Sequence, residues 1–178
     1  MKLAASLVFL GITVVTCVHA DLYVSPDGSL GYSNIQDAIN DAPVDVYTKI
    51  VVYPGVYTEN LLVVTGQNVH ITSTNAASRA TRDATVIDGD MTGRCLTVAT
   101  ETGFWAPLTT TCIVDGLTLR NGRADSGGGA RGTDQWGSAY GNLSLMRCIV
   151  SNCVATGSDN YDGGGGIAYT TGDIISNI

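Results

Sequence analysis

Along most of its length the chain alternates short apolar bursts with polar punctuation. The bursts are Leu22–Val24, Ile50–Tyr53, Leu61–Val64, Val69–Ile71, Val86–Ile87, Leu96–Val98, Cys112–Val114 and Leu117–Leu119, separated by Gly, Asn, Asp and Thr. Runs this short, rich in β-branched residues and bounded by turn formers, predict β-strands with no helix-length segments between them. One interval has a different period. Ser33 begins a capping box with Gln36, then Ile35, Ala38, Ile39 and Ala42 recur at helical spacing until Pro43 closes the segment. The pattern predicts a single helix over 33–42, with turns at Pro26-Asp27-Gly28 and Pro54-Gly55.

The bursts also repeat. Val86-Ile87-Asp88-Gly89-Asp90 matches Ile113-Val114-Asp115-Gly116-Leu117, Cys112–Leu117 matches Cys148–Cys153, and Ile149–Asn152 matches Ile174–Asn177. Gly-rich runs, Gly127-Gly128-Gly129-Ala130 and Gly163–Gly166 before Ile167, accompany the later copies. This spacing predicts a coil of about two dozen residues, lengthened once by an insertion at 125–140. A coil of short strands cannot bury its apolar side alone, so coils stack and each strand pairs in parallel with its equivalent one coil along. The expected fold is all-β: a right-handed parallel β-helix (solenoid) with an N-terminal capping helix that covers otherwise exposed strand edges.

The first twenty residues read as an address. Lys2 supplies a positive start, residues 3–18 are apolar, and Val18 and Ala20 form a small-residue cleavage site before Asp21. That apolar stretch is shorter than the ~20 residues a spanning helix needs. The expected organisation is therefore a signal peptide at 1–20 and one β-helix domain at 21–178. The protein is expected to be secreted, extracellular or at the cell surface, with no membrane span in the mature chain. Because Ile178 falls inside a repeat, the domain is expected to be truncated at its C-terminus.

Composition narrows the function. Hydrophobic residues make up 44% of the chain and charged ones only 14%, which excludes a disordered segment. Acidic residues outnumber basic ones 16 to 9, for a net charge of −7, so nucleic acid is not an expected partner.

The ordered series Tyr23-Val24-Ser25-Pro26-Asp27-Gly28, Ile35-Gln36-Asp37-Ala38-Ile39 and Val52-Tyr53-Pro54-Gly55-Val56-Tyr57-Thr58-Glu59-Asn60 resembles the opening of the right-handed parallel β-helix, or pectin-lyase-like, superfamily. Thr85–Gly89, Val114–Gly122 and the Gly-Gly-Gly-Ala and Gly-Gly-Gly-Ile runs resemble members with polymorphic-outer-membrane-protein-like repeats. The resemblance covers the whole mature chain and concerns an architecture, which does not fix function. The paired-aspartate, Asn-Thr-Asp, Gly-His-Gly and Arg-Ile-Lys contexts that mark esterase and hydrolase members do not occur here.

Several residues are candidates for chemistry. Asp88 and Asp115 occupy matching repeat positions, so stacking would place their carboxylates close enough to bind calcium or share a proton; Asp-Gly is equally good turn chemistry. Trp136 and Tyr140, on the insertion from Arg123 to Gly141 that also carries Asp125 and Arg131, are placed to stack on sugar rings or to fold back on the coil. A second loop with Asp159 and Asp162 lacks the ligand spacing of a calcium loop. Cys112 and Cys148 align between copies, so a disulfide between them is the first choice among the pairings four mature cysteines allow, against a reduced ladder. Cys153 stands where Leu117 does and is expected inside. His70, the single histidine of the mature chain, is expected on a strand surface, and with one histidine no Ser-His-Asp arrangement stands. Asn142-Leu143-Ser144 is an N-glycosylation sequon.

The expected function is a structural, adhesive or carbohydrate-contacting module, non-catalytic in this segment, with extracellular polysaccharide or cell-surface glycans as partners. No cofactor is expected, calcium being the one candidate. The alternative is a pectate-lyase-like or other polysaccharide lyase or hydrolase acting on an acidic polysaccharide. Its acids would be Asp88 and Asp115, with Arg120 or Arg147.

Overall fold

A computed structural model describes residues 20–99, 110–132, 141–157, 164–170 and 173–175. These residues are all-β, mostly parallel sheets with two short helices. The first sheet has six strands in the order β1 (Leu22–Val24), β2 (Tyr47–Val52), β5 (Asn68–Ser73), β8 (Thr110–Asp115), β12 (Gly141–Met146) and β16 (Ile174–Ile175). The second runs β3 (Gly55–Thr58), β6 (Thr85–Asp88), β9 (Thr118–Arg120) and β13 (Ile149–Ser151). The third runs β4 (Leu61–Val63), β7 (Leu96–Val98), β11 (Ala130–Arg131) and β15 (Ile167–Ala168), and β10 (Arg123–Ala124) pairs with β14 (Val154–Ala155). Within each sheet a strand's neighbours are the preceding and following members of the same series, so the chain visits the sheets in turn and adds one strand to each.

Alternation along the strands sends one set of side chains inward. In the first sheet Thr48, Val69, Cys112 and Leu143 form one inward row and Ile50, Ile71, Val114 and Leu145 the next. Tyr57, Ile87, Leu119 and Val150 line the second sheet, and Leu61, Leu96, Ala130 and Ile167 the third. Nearly all are fully buried and belong to one core. Stacked aliphatic rows of this kind supply most of the stability, at about 25 cal/mol per Å² of apolar surface removed from water.

The repeat register differs from the one read in the sequence. Ile87 and Asp88 pair with Leu119 and Arg120, not with residues 114 and 115, and Thr118 pairs with Ile149. Asp115 lies in the first sheet against Thr72 and Met146. The Val/Ile-Asp-Gly motif serves two different corners, because any corner entered from an apolar strand wants an acidic or small turn residue next. Gly116 (φ 69°) and Arg147 (φ 51°) turn the chain from the first sheet to the second, while Asn121 (φ 55°) and Asn152 (φ 51°) turn it out of the second. Each of these four corners turns on one left-handed residue, a conformation natural to Gly and tolerated by Asn, whereas the exit of β6 uses two, Asp90 (φ 48°) and Met91 (φ 55°).

The helices also depart from expectation. α1 spans Ile35–Asn40, and its cap is Asn34, whose side chain accepts from the Asp37 amide. The Glu59 carboxylate adds a second cap by accepting from the Ile35 and Gln36 amides, each at 2.9 Å. α1 buries Ile35, Ala38 and Ile39 and packs on β1, β2 and β4, where β1 and β4 are the edge strands of their sheets. The second helix, α2 (Arg79–Ala84), was not expected, because RATRDA has no apolar face. Polar contacts hold it instead: Ser78 caps it, Arg82 donates to the Arg147 carbonyl, and Thr118 Oγ1 donates to the Arg82 carbonyl. Among the described residues no helix is long and apolar enough to cross a membrane.

Candidate functional site

The richest chemistry lies on the outer side of the first sheet. Tyr47 on β2, His70 on β5 and Asp115 on β8 step diagonally across it. Tyr47 pairs with Asn68, two residues before His70, and His70 pairs with Ile113, two residues before Asp115. Side chains of this length reach one another across such diagonals. Tyr47 Oη lies 2.8 Å from His70 Nδ1, and His70 Nε2 stands 3.8 Å from Asp115 Oδ2, within ion-pair range but too long for a hydrogen bond. Arg147, which follows the neighbouring strand β12, closes the line: its Nε donates to Asp115 Oδ1 at 2.8 Å and its terminal nitrogen to Oδ2. Lys49, the strand partner of His70, forms an ion pair with Asp21 at 3.3 Å.

Depth grades this line from water inward. Tyr47 is 58% exposed, whereas Asp115 is only 5% exposed. Burial lowers the His70 pKa, and the facing Asp115 opposes that without cancelling it, so the ring is neutral near pH 7. A carboxylate on the Nε2 side favours a proton there, which leaves Nδ1 to accept from the Tyr47 hydroxyl. His70 Nε2 is buried and has no hydrogen-bond partner. Burial also raises the Tyr47 pKa, so its hydroxyl stays protonated. The arrangement can present an aromatic ring and a hydroxyl to a ligand and pass a proton between that hydroxyl and the imidazole.

Asp88 is used differently. It accepts from Arg120 Nε at 2.8 Å, from Asn121 Nδ2 at 2.9 Å and from the Asp90 amide at 3.0 Å. Burial pushes its carboxyl up, but Arg120, the Asp90 amide and Asn121 outweigh burial and hold it below the usual value. Asn152 then donates to Asn121 at 2.6 Å, extending a polar ladder along the corner. Every polar contact made by this carboxylate serves the turn. Asp88 and Asp115, expected to stack, therefore sit in different sheets and form no acid pair. Among the described residues no group of three or more His, Cys, Asp or Glu side chains is placed to hold a metal ion.

The other sequence candidates fall as follows. Trp136 and Tyr140 lie outside the described residues, as do Asp159 and Asp162. Asp125 is held by Arg94 at 2.9 Å and Arg131 at 3.6 Å, and Arg131 lies over the Tyr169 ring. Asn142 is exposed on the outer side of β12, in the same row as Tyr47. Cys112 and Cys148 are not equivalent: Cys112 pairs with Leu143, while Cys148 precedes the pair Ile149–Thr118 and so takes the place of Leu117. Both are buried thiols, as is Cys95. Cys153 follows Asn152 at the other corner and is partly buried against the core, not in the place of Leu117.

Tyr47 and Lys49 escaped sequence reasoning, and His70 was placed on the sheet surface without its partners. The only sequence signal was alternation, since Val69 and Ile71 flank His70 and leave it pointing out. Its neighbours follow from register, and the repeats suggested a different one. No protein-family model matches this chain, and no curated protein matches it either.

Proposed function

We propose that the chain is a secreted right-handed parallel β-helix of the pectin-lyase-like kind, serving as a module that contacts an extracellular polysaccharide or cell-surface glycan. The fold reading is supported by three parallel series that each gain a strand per coil in chain order. The functional reading rests on one observation: the exposed Tyr47 ring stands beside Lys49 and the His70–Asp115–Arg147 line on an extended strand surface. An aromatic ring with a polar edge, flanked by hydrogen-bonding groups, suits a sugar ring. Two cations, Lys49 and Arg147, face two carboxylates, Asp21 and Asp115, so the local charge is balanced. A hydroxyl-rich chain therefore fits better than a dense polyanion. Binding to immobilised glycans tests this: Tyr47→Ala is expected to weaken binding at least five-fold, with Trp136→Ala as a second probe. Unchanged binding in Tyr47→Ala overturns the assignment of this face.

A second reading, polysaccharide cleavage, is favoured by the contact from Tyr47 through His70 to Asp115. Here neutral His70 would be the general base, and Asp115 would orient and stabilise its charged form. Incubation with polygalacturonate and with neutral polysaccharides, with and without calcium, checks it. New reducing ends or unsaturated uronate products that disappear in His70→Asn would favour catalysis over simple contact.

A further inference from the structure

The second helix carries a buried cation that the Tyr47 face does not yet use. Arg82, on α2, is only 8% exposed, and a guanidinium is seldom buried without a group to hold. Its side chain donates to the Arg147 carbonyl at 3.2 Å. Asp83 stands 3.8 Å from the Arg82 Nε, too far for a hydrogen bond, and that nitrogen has no partner. Thr118 Oγ1 in turn donates to the Arg82 carbonyl at 3.0 Å and ties α2 to β9.

The segment that carries Arg82 touches the backbone beside both partners of the Asp115–Arg147 ion pair. Ala76, shortly before α2, packs against Gly116, where an added Cβ would overlap the Ala76 Cα, and Gly116 directly follows Asp115. Arg147 has φ 51°, a backbone that an arginine takes only where its surroundings hold it. It is held at both ends: the Arg147 amide donates to the Ile175 carbonyl at 2.8 Å, and the Arg147 carbonyl accepts from Arg82. Since the backbone sets the direction of Cβ, this corner aims the guanidinium at both Asp115 oxygens.

We propose that Arg82 is a positioning residue for the Tyr47 face: by holding the Arg147 carbonyl it fixes the corner from which Arg147 engages Asp115, and so keeps Asp115 from closing on His70. The proposal rests on the reading of this face as the contact surface. The groups around His70 are Tyr47 and Lys49 on β2, with Asp21 paired to Lys49, Asp115 on β8, and Arg147 after β12. Burial lowers the His70 pKa most; Asp115 raises it, and Lys49 and Arg147 lower it. Release of Arg147 removes one of these lowering charges and frees Asp115 Oδ2, now 3.8 Å away, to approach Nε2. His70 then takes up a proton more readily, and a charged ring has no acceptor left at Nδ1 for the Tyr47 hydroxyl. Arg82 thereby keeps that hydroxyl in one orientation toward a ligand.

The test follows the His70 ring resonances, identified by their loss in His70→Asn, through a pH titration of the full chain by NMR. Arg147→Met is expected to raise the His70 midpoint by about 0.5 or more on the pH scale, and Arg82→Met by about half as much. Arg82→Lys keeps a donor for the Arg147 carbonyl and is expected to stay within about 0.1 of the parent. Arg82→Met added to Arg147→Met is expected to move the midpoint no further, which separates positioning from a direct effect of the Arg82 charge. Thr118→Val loosens α2 more gently, is expected to shift the midpoint the same way, and serves where Arg82→Met does not fold. An unmoved midpoint in Arg82→Met, a lowered melting temperature as its only effect, or a shift that persists on the Arg147→Met background overturns the proposal. Binding to immobilised glycans is measured in parallel, and a loss of about two- to three-fold in Arg82→Met supports it. A midpoint shift in a chain whose parent binds no glycan supports the positioning and overturns the contact reading alone.

Discussion

Asp88 and Asp115 each follow a pair of β-branched apolar residues, precede a glycine and take an arginine from the neighbouring strand of their sheet or the residue after it, yet the two corners are put to different uses. At Asp88 the carboxylate is enclosed by Arg120, Asn121 and the Asp90 amide, and Asn152 continues the ladder. At Asp115 Arg147 holds both oxygens, and Oδ2 also faces His70 and through it the exposed Tyr47. The difference lies in which sheet the strand belongs to. β6 delivers its aspartate beside the corner that follows β9, where left-handed Asn121 donates its side-chain amide to it. β8 delivers its aspartate to the edge of a broad surface where three strands bring long side chains together. A tetrapeptide does not carry a role; the rung beside it assigns one.

The largest effect should come from Gly116, the glycine after Asp115. Gly116 has φ 69°, and an added Cβ would overlap the Ala76 backbone, so Gly116→Ala is expected to cost about 2–4 kcal/mol. Gly89→Ala meets backbone at 2.9 Å without the positive φ and is expected to cost less, about 1–2 kcal/mol. Urea denaturation of the two variants measures the contrast, and equal losses would erase this distinction between the corners.

Next come the carboxylates. Asp88→Asn is expected to lose about 2 kcal/mol, since three donors lose a charged acceptor, with Arg120 discounted because its side chain is 40% exposed. Asp115→Asn is expected to lose about 1 kcal/mol. Glycan binding should reverse the order, falling several-fold in Asp115→Asn and staying within two-fold in Asp88→Asn.

The pH dependence is smaller. The Asp88 carboxyl titrates lower folded than unfolded, so its contribution is present above about pH 4 and is lost as pH falls through the lowered folded value. The His70 pKa is also lowered, so the unfolded chain binds that proton more readily and stability declines as pH falls below about 6.5. Thermal melts of His70→Asn should lose the upper of these two steps and keep the lower. Asn121→Gly is expected to change least, by about 0.5–1 kcal/mol, since relief of the left-handed backbone offsets part of the lost ladder.

The strands were legible in the sequence because each is a local signal. Val69–Ile71, Leu96–Val98 and Cys112–Val114 lie within β5, β7 and β8, and parallel stacking followed from their shortness and number. Register was not legible. A match between residues 86–90 and 113–117 measures similar turn chemistry, whereas pairing is decided by how much chain each corner consumes, and α2 with its flanks lengthens one corner by a polar segment without periodicity. The diagonal from Tyr47 to Asp115 depends on that register and stayed invisible with it. The alternation of its own strand put His70 on the outer face, where its ring lies half-buried among neighbours the sequence did not show. The alignment of Cys112 with Cys148 missed for the same reason, since it joined positions in different rungs.

The strand order within each sheet carries a kinetic consequence. After the first member of each series, every described strand finds a mate in the preceding member of its own series, so no part of a sheet must wait for a far terminus to arrive. A chain emerging end-first from the ribosome lays down one layer at a time on the layer already formed, with α1 closing the starting edge. Such growth keeps the exposed, unmatched backbone to the leading edges of the sheets at any moment, which limits the surface open to wrong partners during synthesis.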